Sequence, residues 1–481
     1  MREKFDKIVN SRIGKGIDRF INTPWYSAVI AAICILCHTL DIPVVGAFLL
    51  TLTLVPALIF CKNSFVLVPF LFMCSFVISE DTMPQSGYYG SAGKLVPLCL
   101  MLAVLAAALV FNLVYYGKWK KIFKRAHLTV SLALCSGVLI VGGLFSPTFT
   151  LGGIGLALGI GVTMFFPYAF LINCGEYEGR KTIEYIAWAT VAAAIVIGAA
   201  VFEQYAVHGF KIGNKRADLQ FGYAISNTAA AIVVLAIPLT FYFVYKYKYG
   251  FLFLLLVALE LFIIVATYSR ATLVVAVPGT AIVAVWLCFK KKSGRLAYWI
   301  ACGVAAVGVI ALAVLFRNRI WSIVSAVFDG NISSSGRVTI WKEGFIAWKD
   351  SPFLGVGLQF LQLGGRRYYS FHCTPLTYLY CAGLVGLVAY GYHRYKTVRL
   401  TFAAKLTAER VFVALSVLAM VFNALLDIAM TLPPNLLYYS TLLALIEADV
   451  KHVKSSSAEI DELPEEQNIE NNVEGEANER V

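Results

Sequence analysis

The residues with most chemical potential lie between 317 and 375, the one long polar interruption in an apolar chain. Arg317, Arg319, Arg337, Lys342, Lys349, Arg366 and Arg367 stand there against Asp329, Glu343 and Asp350, a net charge of +4. Guanidinium forks match phosphate oxygens in bidentate fashion, so an anionic ligand is one reason for such an excess. Attraction to anionic lipid headgroups is the competing reason, above all for Arg366 and Arg367. Arg270, in the sequence ATYSRATLVV, opens a long apolar run. A charge this close to hydrocarbon is either functional or an interfacial arginine that snorkels to water. Arg216, beside Lys211 and Lys215, is either a second phosphate contact or a loop charge. His372 can accept a proton from an attacking hydroxyl, although a lone interfacial histidine is more often structural. Glu260 and Asp427 are acids inside apolar runs. Each pairs with an arginine or lines a cavity, with an internal salt bridge favoured for Glu260.

The elements that position these residues are membrane helices. The chain has 481 residues, 59% hydrophobic and 14% charged, against about half and a quarter for a soluble globular domain. Its apolar runs are continuous, which excludes an alternating β-barrel pattern and predicts an all-α polytopic bundle. At about 20 apolar residues per span, the runs are 24–41, 42–61, 63–79, 94–117, 128–145, 151–174, 181–202, 223–245, 250–268, 271–289, 296–316, 376–395, 410–430 and 434–450. The expected count is about 12–14 transmembrane helices. Pro43, Pro56 and Pro69 interrupt the first three runs, so these make three spans, or two spans and a re-entrant piece.

Short loops rich in Lys and Arg face the cytoplasm. The basic stretches are the N-terminus, Lys118–Arg125, Lys246–Lys248, Lys290–Arg295 and Arg394–Arg399. With fourteen spans, all of them fall on the side of a cytoplasmic N-terminus. The 317–375 segment and the Ser269–Arg270 turn then lie outside. The expected organisation is a basic cytoplasmic N-terminus (1–23), membrane spans (24–316), one large extracytoplasmic loop with lid and catalytic roles (317–375), the last spans (376–450) and a disordered acidic cytoplasmic tail (451–481). Past Ala458 that tail holds nine acidic residues and one base, Arg480, a charge of −8 that leaves +20 on the rest of the chain. Most of that excess reads as cytoplasmic anchoring charge. The eleven cysteines form no CxxC pair and no zinc spacing, so neither a disulfide framework nor a metal site is expected. The first apolar run lacks a small-residue cleavage site and reads as a retained span.

Within the loop, Ser335 can cap a helix that must end before Pro352. Arg337, Trp341, Gly344 and Trp348 share one face of it, with Ile340 and Phe345 beside them. This amphipathic segment suits a membrane surface or the cover of a cavity. Its aromatic stripe reads as packing, while Arg337 sits at the helix end that favours anions.

Four pieces in this order resemble the O-antigen ligase and polymerase family, the Wzy/WaaL-type membrane glycosyltransferases. They are Arg216 with Phe221–Gly222 and Asn227–Thr228–Ala229; Ser269–Arg270; Gly336–Arg337 through Trp341 to Ser351–Pro352 and Gly355–Val356–Gly357; and His372 followed by Tyr378, Gly383 and Gly386. They cover roughly 200–395. The resemblance implies a GT-C-like helical fold in the inner (cytoplasmic) membrane, both termini cytoplasmic. It implies transfer of glycan from an undecaprenyl-pyrophosphate carrier to an acceptor hydroxyl on the outer leaflet, in surface polysaccharide biosynthesis, with no cofactor and no metal. Arg216, Arg270 and Arg337 would bind the pyrophosphate, and His372 would stand near the acceptor hydroxyl. The implied partners are the lipid-linked donor, a glycan or lipid acceptor and membrane lipids, with no nucleic acid. Where the family usually has a small polar residue after the histidine, this chain has Cys373. A polymerase is favoured over a ligase. A polysaccharide flippase is the alternative of a different class, and the clustering of charge at the outer face rather than the midplane argues against it.

Overall fold

The computed structural model describes residues 2–77, 92–146, 149–207, 220–221, 224–315, 317, 337–358, 361–363, 366–368, 371–427 and 429–461. Arg216 and most of the stretch from 316 to 336 lie outside them. The helices are α1 (Arg2–Val9), α2 (Arg12–Ile21), α3 (Pro24–Thr39), α4 (Pro43–Phe60), α5 (Val68–Met73), α6 (Ala92–Tyr115), α7 (Trp119–Ile122), α8 (Thr129–Leu144), α9 (Leu151–Cys174), α10 (Arg180–Val207), α11 (Ser226–Lys246), α12 (Leu254–Ala266), α13 (Arg270–Lys290), α14 (Arg295–Leu315), α15 (Arg337–Asp350), α16 (Thr374–Thr401), α17 (Ala408–Leu426) and α18 (Pro433–Asp461). Two antiparallel ribbons complete the described chain. β1 (Gln220–Phe221) pairs with β2 (Ala224–Ile225), and β3 (Leu361–Leu363) with β4 (Arg366–Tyr368).

The expected all-α membrane bundle is thus the observed architecture. Every apolar run has its helix, but the lengths differ. Among the described residues eight helices are long and apolar enough to cross a membrane, and a ninth counts if α2 and α3, bent by 75°, form one span. Four further apolar helices, over Ser64–Val77, Thr129–Leu144, Gly250–Ala266 and Arg295–Gly308, are shorter. The run at 63–79 is one of these. It breaks into two 3₁₀ turns around α5, which fits the re-entrant alternative. α18 fails on polarity rather than length: Asn435, Ser440, Thr441, Glu447 and Asp449 are all buried on it.

That polarity has a structural cause. α18 is buried without a break from Tyr438 to Val450, and α11 is buried almost throughout from Asn227 to Val244. A helix enclosed by other helices can carry polar side chains if they find partners. Glu447 and Asp449 do, close to the expected cytoplasmic end. Tyr168 donates to Glu447, and Asp449 accepts from Arg410 Nε at 2.6 Å and Tyr177 at 2.6 Å. α18 then continues to Asp461, so the expected boundary at 450 is displaced; the acidic residues after 461 lie outside the described chain. Likewise Arg394–Arg399, expected in a loop, belong to α16, and His393 is buried between Ser131 and Tyr439.

α16 is not one straight rod. Gly383 has φ +67°, and the rings of Tyr378 and Tyr390 lie 5.2 Å apart. In a straight helix, residues twelve apart would be separated by about 18 Å along the axis. The break lets the 352–357 segment pair with the helix backbone. Val356 N donates to Tyr380 O at 2.8 Å, Gly357 N to Cys381 O at 3.0 Å and Leu384 N to Pro352 O at 2.9 Å. Gly355 and Gly357 also take positive φ, and a Cβ at Gly355 or Gly383 would overlap the facing backbone. Only glycine combines that conformation with that approach. The SPFLGVG sequence is therefore a backbone clamp on α16.

Candidate active site

The expected loop helix forms as α15, over Arg337–Asp350 and ending before Pro352. Ile340, Gly344 and Ala347 are its buried positions. Gly344 lies against the rings of Phe371 and Tyr380, where a Cβ would collide with both. Trp341 Nε1 donates to Phe371 O at 2.5 Å, and Trp348 Nε1 donates to Pro352 O at 3.1 Å. The tryptophan face is thus a pair of struts, in line with its reading as packing. One strut holds the residue before His372; the other holds the clamp.

His372 itself has φ +50°, an unusual backbone state for a residue with a side chain. Buried Phe371 on one side and the start of α16 on the other impose it. The imidazole Nδ1 lies 3.0 Å from Asp427 Oδ1. Asp427 follows the last residue of α17 and is 1% exposed. Its second oxygen, Oδ2, lies 3.3 Å from Arg337 Nη2, while Arg337 Nη1 donates to Leu426 O at 2.5 Å. One buried carboxylate therefore joins the arginine at the start of α15 to the histidine before α16. Both partners keep access to solvent, with side chains 20% and 25% exposed.

The arrangement has definite acid–base consequences. A carboxylate only accepts hydrogen bonds, so Nδ1 faces it as the donor, and in the neutral imidazole Nε2 is then the acceptor. Arg337 stands opposite the same carboxylate, on its other oxygen. Two of the guanidinium nitrogens are engaged by protein; Nε is buried and has no hydrogen-bond partner among the described residues. Burial raises the Cys373 thiol above its ordinary value, which disfavours a thiolate nucleophile next to the histidine.

Arg270 is the exposed first residue of α13. It approaches this centre through its helix. Buried Ser269 and Thr272 bond to each other at 2.8 Å, and Asn423 Nδ2 donates to Thr272 Oγ1 at 2.7 Å. Asn423 lies one turn before Asp427 on α17. The structure thus gathers Arg270, Arg337, His372 and Asp427 at one end of the bundle. Glu260 is elsewhere. It is buried in α12 and accepts from Thr240 Oγ1 at 2.7 Å, and its other oxygen has no partner among the described residues, so a hydroxyl contact stands there where a salt bridge was expected. Of the other loop cations, Lys342 and Lys349 are exposed, and Arg366 and Arg367 form part of β4. Among the described residues no group of three His, Cys, Asp or Glu side chains is arranged to hold a metal ion.

An apolar cavity of about 430 Å³ adjoins the centre between α11, α13 and α17. Val234, Ile237, Pro238, Val274 and Phe422 line it, and it reaches Leu426, whose carbonyl holds Arg337.

The pairing of His372 with Asp427 was not legible in the sequence, where Asp427 stood only as an intramembrane acid with an arginine or a cavity to face. Asn423 and Thr272 were missed entirely, since an amide and a hydroxyl within apolar runs carry no spacing signal.

Comparison with known proteins bears on the same residues. No curated protein matches the chain. Residues 251–391 match the family model Wzy_C, described as O-antigen ligase. The match ends before Asn423 and Asp427, which join the site only through the fold. The resemblance to the O-antigen ligase/polymerase family is accordingly shown over residues 251–391, the segment that holds Arg270, Arg337 and His372.

Proposed function

We propose that this protein is a membrane glycosyltransferase of surface polysaccharide biosynthesis, which moves glycan from an undecaprenyl-pyrophosphate carrier to an acceptor hydroxyl at the outer leaflet. The carrying observation is the Asp427 carboxylate shared by Arg337 and His372, within 3.3 Å of each. Asp427 holds the imidazole with Nε2 free. Nε2 takes the proton from the acceptor hydroxyl as its oxygen bonds to the anomeric carbon. The bond from that carbon to the pyrophosphate oxygen breaks, and the pyrophosphate leaves with the electron pair. Attack opposite the leaving group inverts the anomeric centre.

The leaving diphosphate gains negative charge, and fixed cations beside it lower the barrier. Arg270 and the unspent donors of Arg337 supply them, with Arg216 as a third from the preceding extracytoplasmic segment. The apolar cavity up to Leu426 suits the isoprenoid chain of the carrier, which supports the reading of a pyrophosphate held by the arginines beside it. Polymerisation, carrier to carrier, is the favoured form of the reaction.

The test is transfer in purified membranes supplied with lipid-linked repeat units alone. A ladder of longer glycans from the wild type supports the polymerase. Product only after a separate lipid or protein acceptor is added makes it a ligase. Translocated but unlinked substrate makes it a flippase. His372→Ala is expected to lower the transfer rate by about 10²–10⁴-fold, as loss of a general base does, and Arg270→Ala to be comparably severe. Unaltered transfer by both folded variants overturns the mechanism.

A further inference from the structure

The centre described above has a second connection that its chemistry does not use. Asn423 is wholly buried on α17, between the buried Met420 and Ala424. Its Nδ2 donates to Thr272 Oγ1, and its buried Oδ1 has no hydrogen-bond partner among the described residues. A buried amide with an unpaired oxygen is costly, and an aliphatic side chain would pack there without that cost. The hydrogen bond it makes is its distinguishing product.

That bond runs to the Arg270 turn. Thr272 Oγ1 accepts from Asn423 Nδ2 and lies in hydrogen-bond contact with Ser269 Oγ, 2.8 Å away, and Ser269 directly precedes Arg270. The turn is otherwise awkward: Tyr268 has φ +55°, and Tyr205 OH, from α10, donates to Ala266 O at 2.7 Å. At its other side, Asn423 O accepts from Asp427 N at 2.8 Å. The same residue thus touches the arginine turn through its side chain and the Asp427 backbone through its carbonyl.

We propose that Asn423, acting through Thr272 and Ser269, is a positioning residue that fixes Arg270 relative to the Asp427–His372 pair. The inference rests on the reading of the site as one for a lipid pyrophosphate. Its content is that the two halves of the centre, the cation on α13 and the acid–base pair at the end of α17, are held at one spacing by a buried polar link. Misplacement of a charged group by a fraction of its contact distance weakens a bidentate phosphate contact strongly.

The test uses the full chain in detergent and farnesyl pyrophosphate, a soluble isoprenoid pyrophosphate, as the probe. Thr272→Val is nearly isosteric and removes the link; Thr272→Ser keeps the hydroxyl; Asn423→Leu removes the link from the other side. The expected result is that Thr272→Val and Asn423→Leu each weaken probe binding by about tenfold, while Thr272→Ser stays within about twofold of wild type. Placed on Arg270→Ala, Thr272→Val is expected to add less than about twofold, because the group it positions is gone. A role in general packing would cost the same in both backgrounds, and that result, or wild-type binding by Thr272→Val, overturns the inference while leaving the proposed function standing. Failure of the wild type to bind the probe, or binding by Arg270→Ala as tight as wild type, removes the pyrophosphate reading and this inference with it.

Discussion

Asp427 presents one oxygen to His372 and the other to Arg337, and that division of labour sets what each substitution does. Asn at this position keeps the shape but loses the charge and turns one acceptor into a donor. Arg337 then lacks its counter-ion, and the amide no longer selects the Nδ1-protonated imidazole. Asp427→Asn is expected to lower the transfer rate by about 10²–10⁴-fold, near the loss expected for His372→Ala, because the two act as a unit. The double variant Asp427→Asn/His372→Ala should be little worse than either single one. Initial rates in purified membranes decide this; independent, multiplying losses would mean that Asp427 does not act through the histidine. Cys373 stands apart from this pair. Its raised thiol and its place at the α16 N-terminus make it a packing residue.

At the scale of elements, the site depends on how α15 and the clamp at 352–357 meet the broken α16. Gly383 is the hinge of that meeting. A side chain there is strained by φ +67° and also overlaps the Phe353 backbone. Gly383→Ala is expected to cost more than about 1–2 kcal/mol, the penalty for left-handed backbone alone, and to displace His372 through Tyr380 and Phe371. Thermal unfolding in detergent measures the first part and transfer rate the second. A variant with unchanged melting and unchanged rate would show that the break in α16 is incidental. Trp341→Phe is milder. It deletes one hydrogen bond, to Phe371 O, worth about 1 kcal/mol net, and keeps most of the packing.

At the scale of the whole molecule, the bundle carries its chemistry at one end and buried ionic contacts at the other. Arg410, Asp449, Tyr177 and Thr407 tie α17, α18 and the connection between α9 and α10 together at the end away from His372. Nearby in the chain, after α6, Lys118 is buried. Its Nζ donates to Asn112 Oδ1 at 2.8 Å and Ser64 Oγ at 3.0 Å, neither of them charged. Burial, the largest cause, lowers its pKa from 10.5 to about 8. The unfolded chain therefore binds more protons than the folded one between those values, so stability contributed by this site rises as pH increases from about 8 to 10.5. Lys118→Met is expected to flatten that rise. Melting temperatures of both proteins across this range check it, and an identical pH dependence would refute the assignment.

The sequence alone determined the class of molecule and most of its helices. Continuous apolar runs leave a membrane chain no alternative to helices, because unpaired backbone cannot be left in hydrocarbon. The same local logic located α15 between Ser335 and Pro352 and marked Arg270, Arg337 and His372 as the residues to watch. Tertiary structure decided what lies between them. Hydropathy cannot distinguish a helix that faces lipid from one enclosed by others, so the burial of α18, with its glutamate and aspartate, was invisible. Nor does a one-dimensional pattern state that the C-terminal end of α17 arrives beside α15. Asp427 lies 90 residues from Arg337 and 55 from His372, and only packing of α17 against α13 and α18 brings its carboxylate between them.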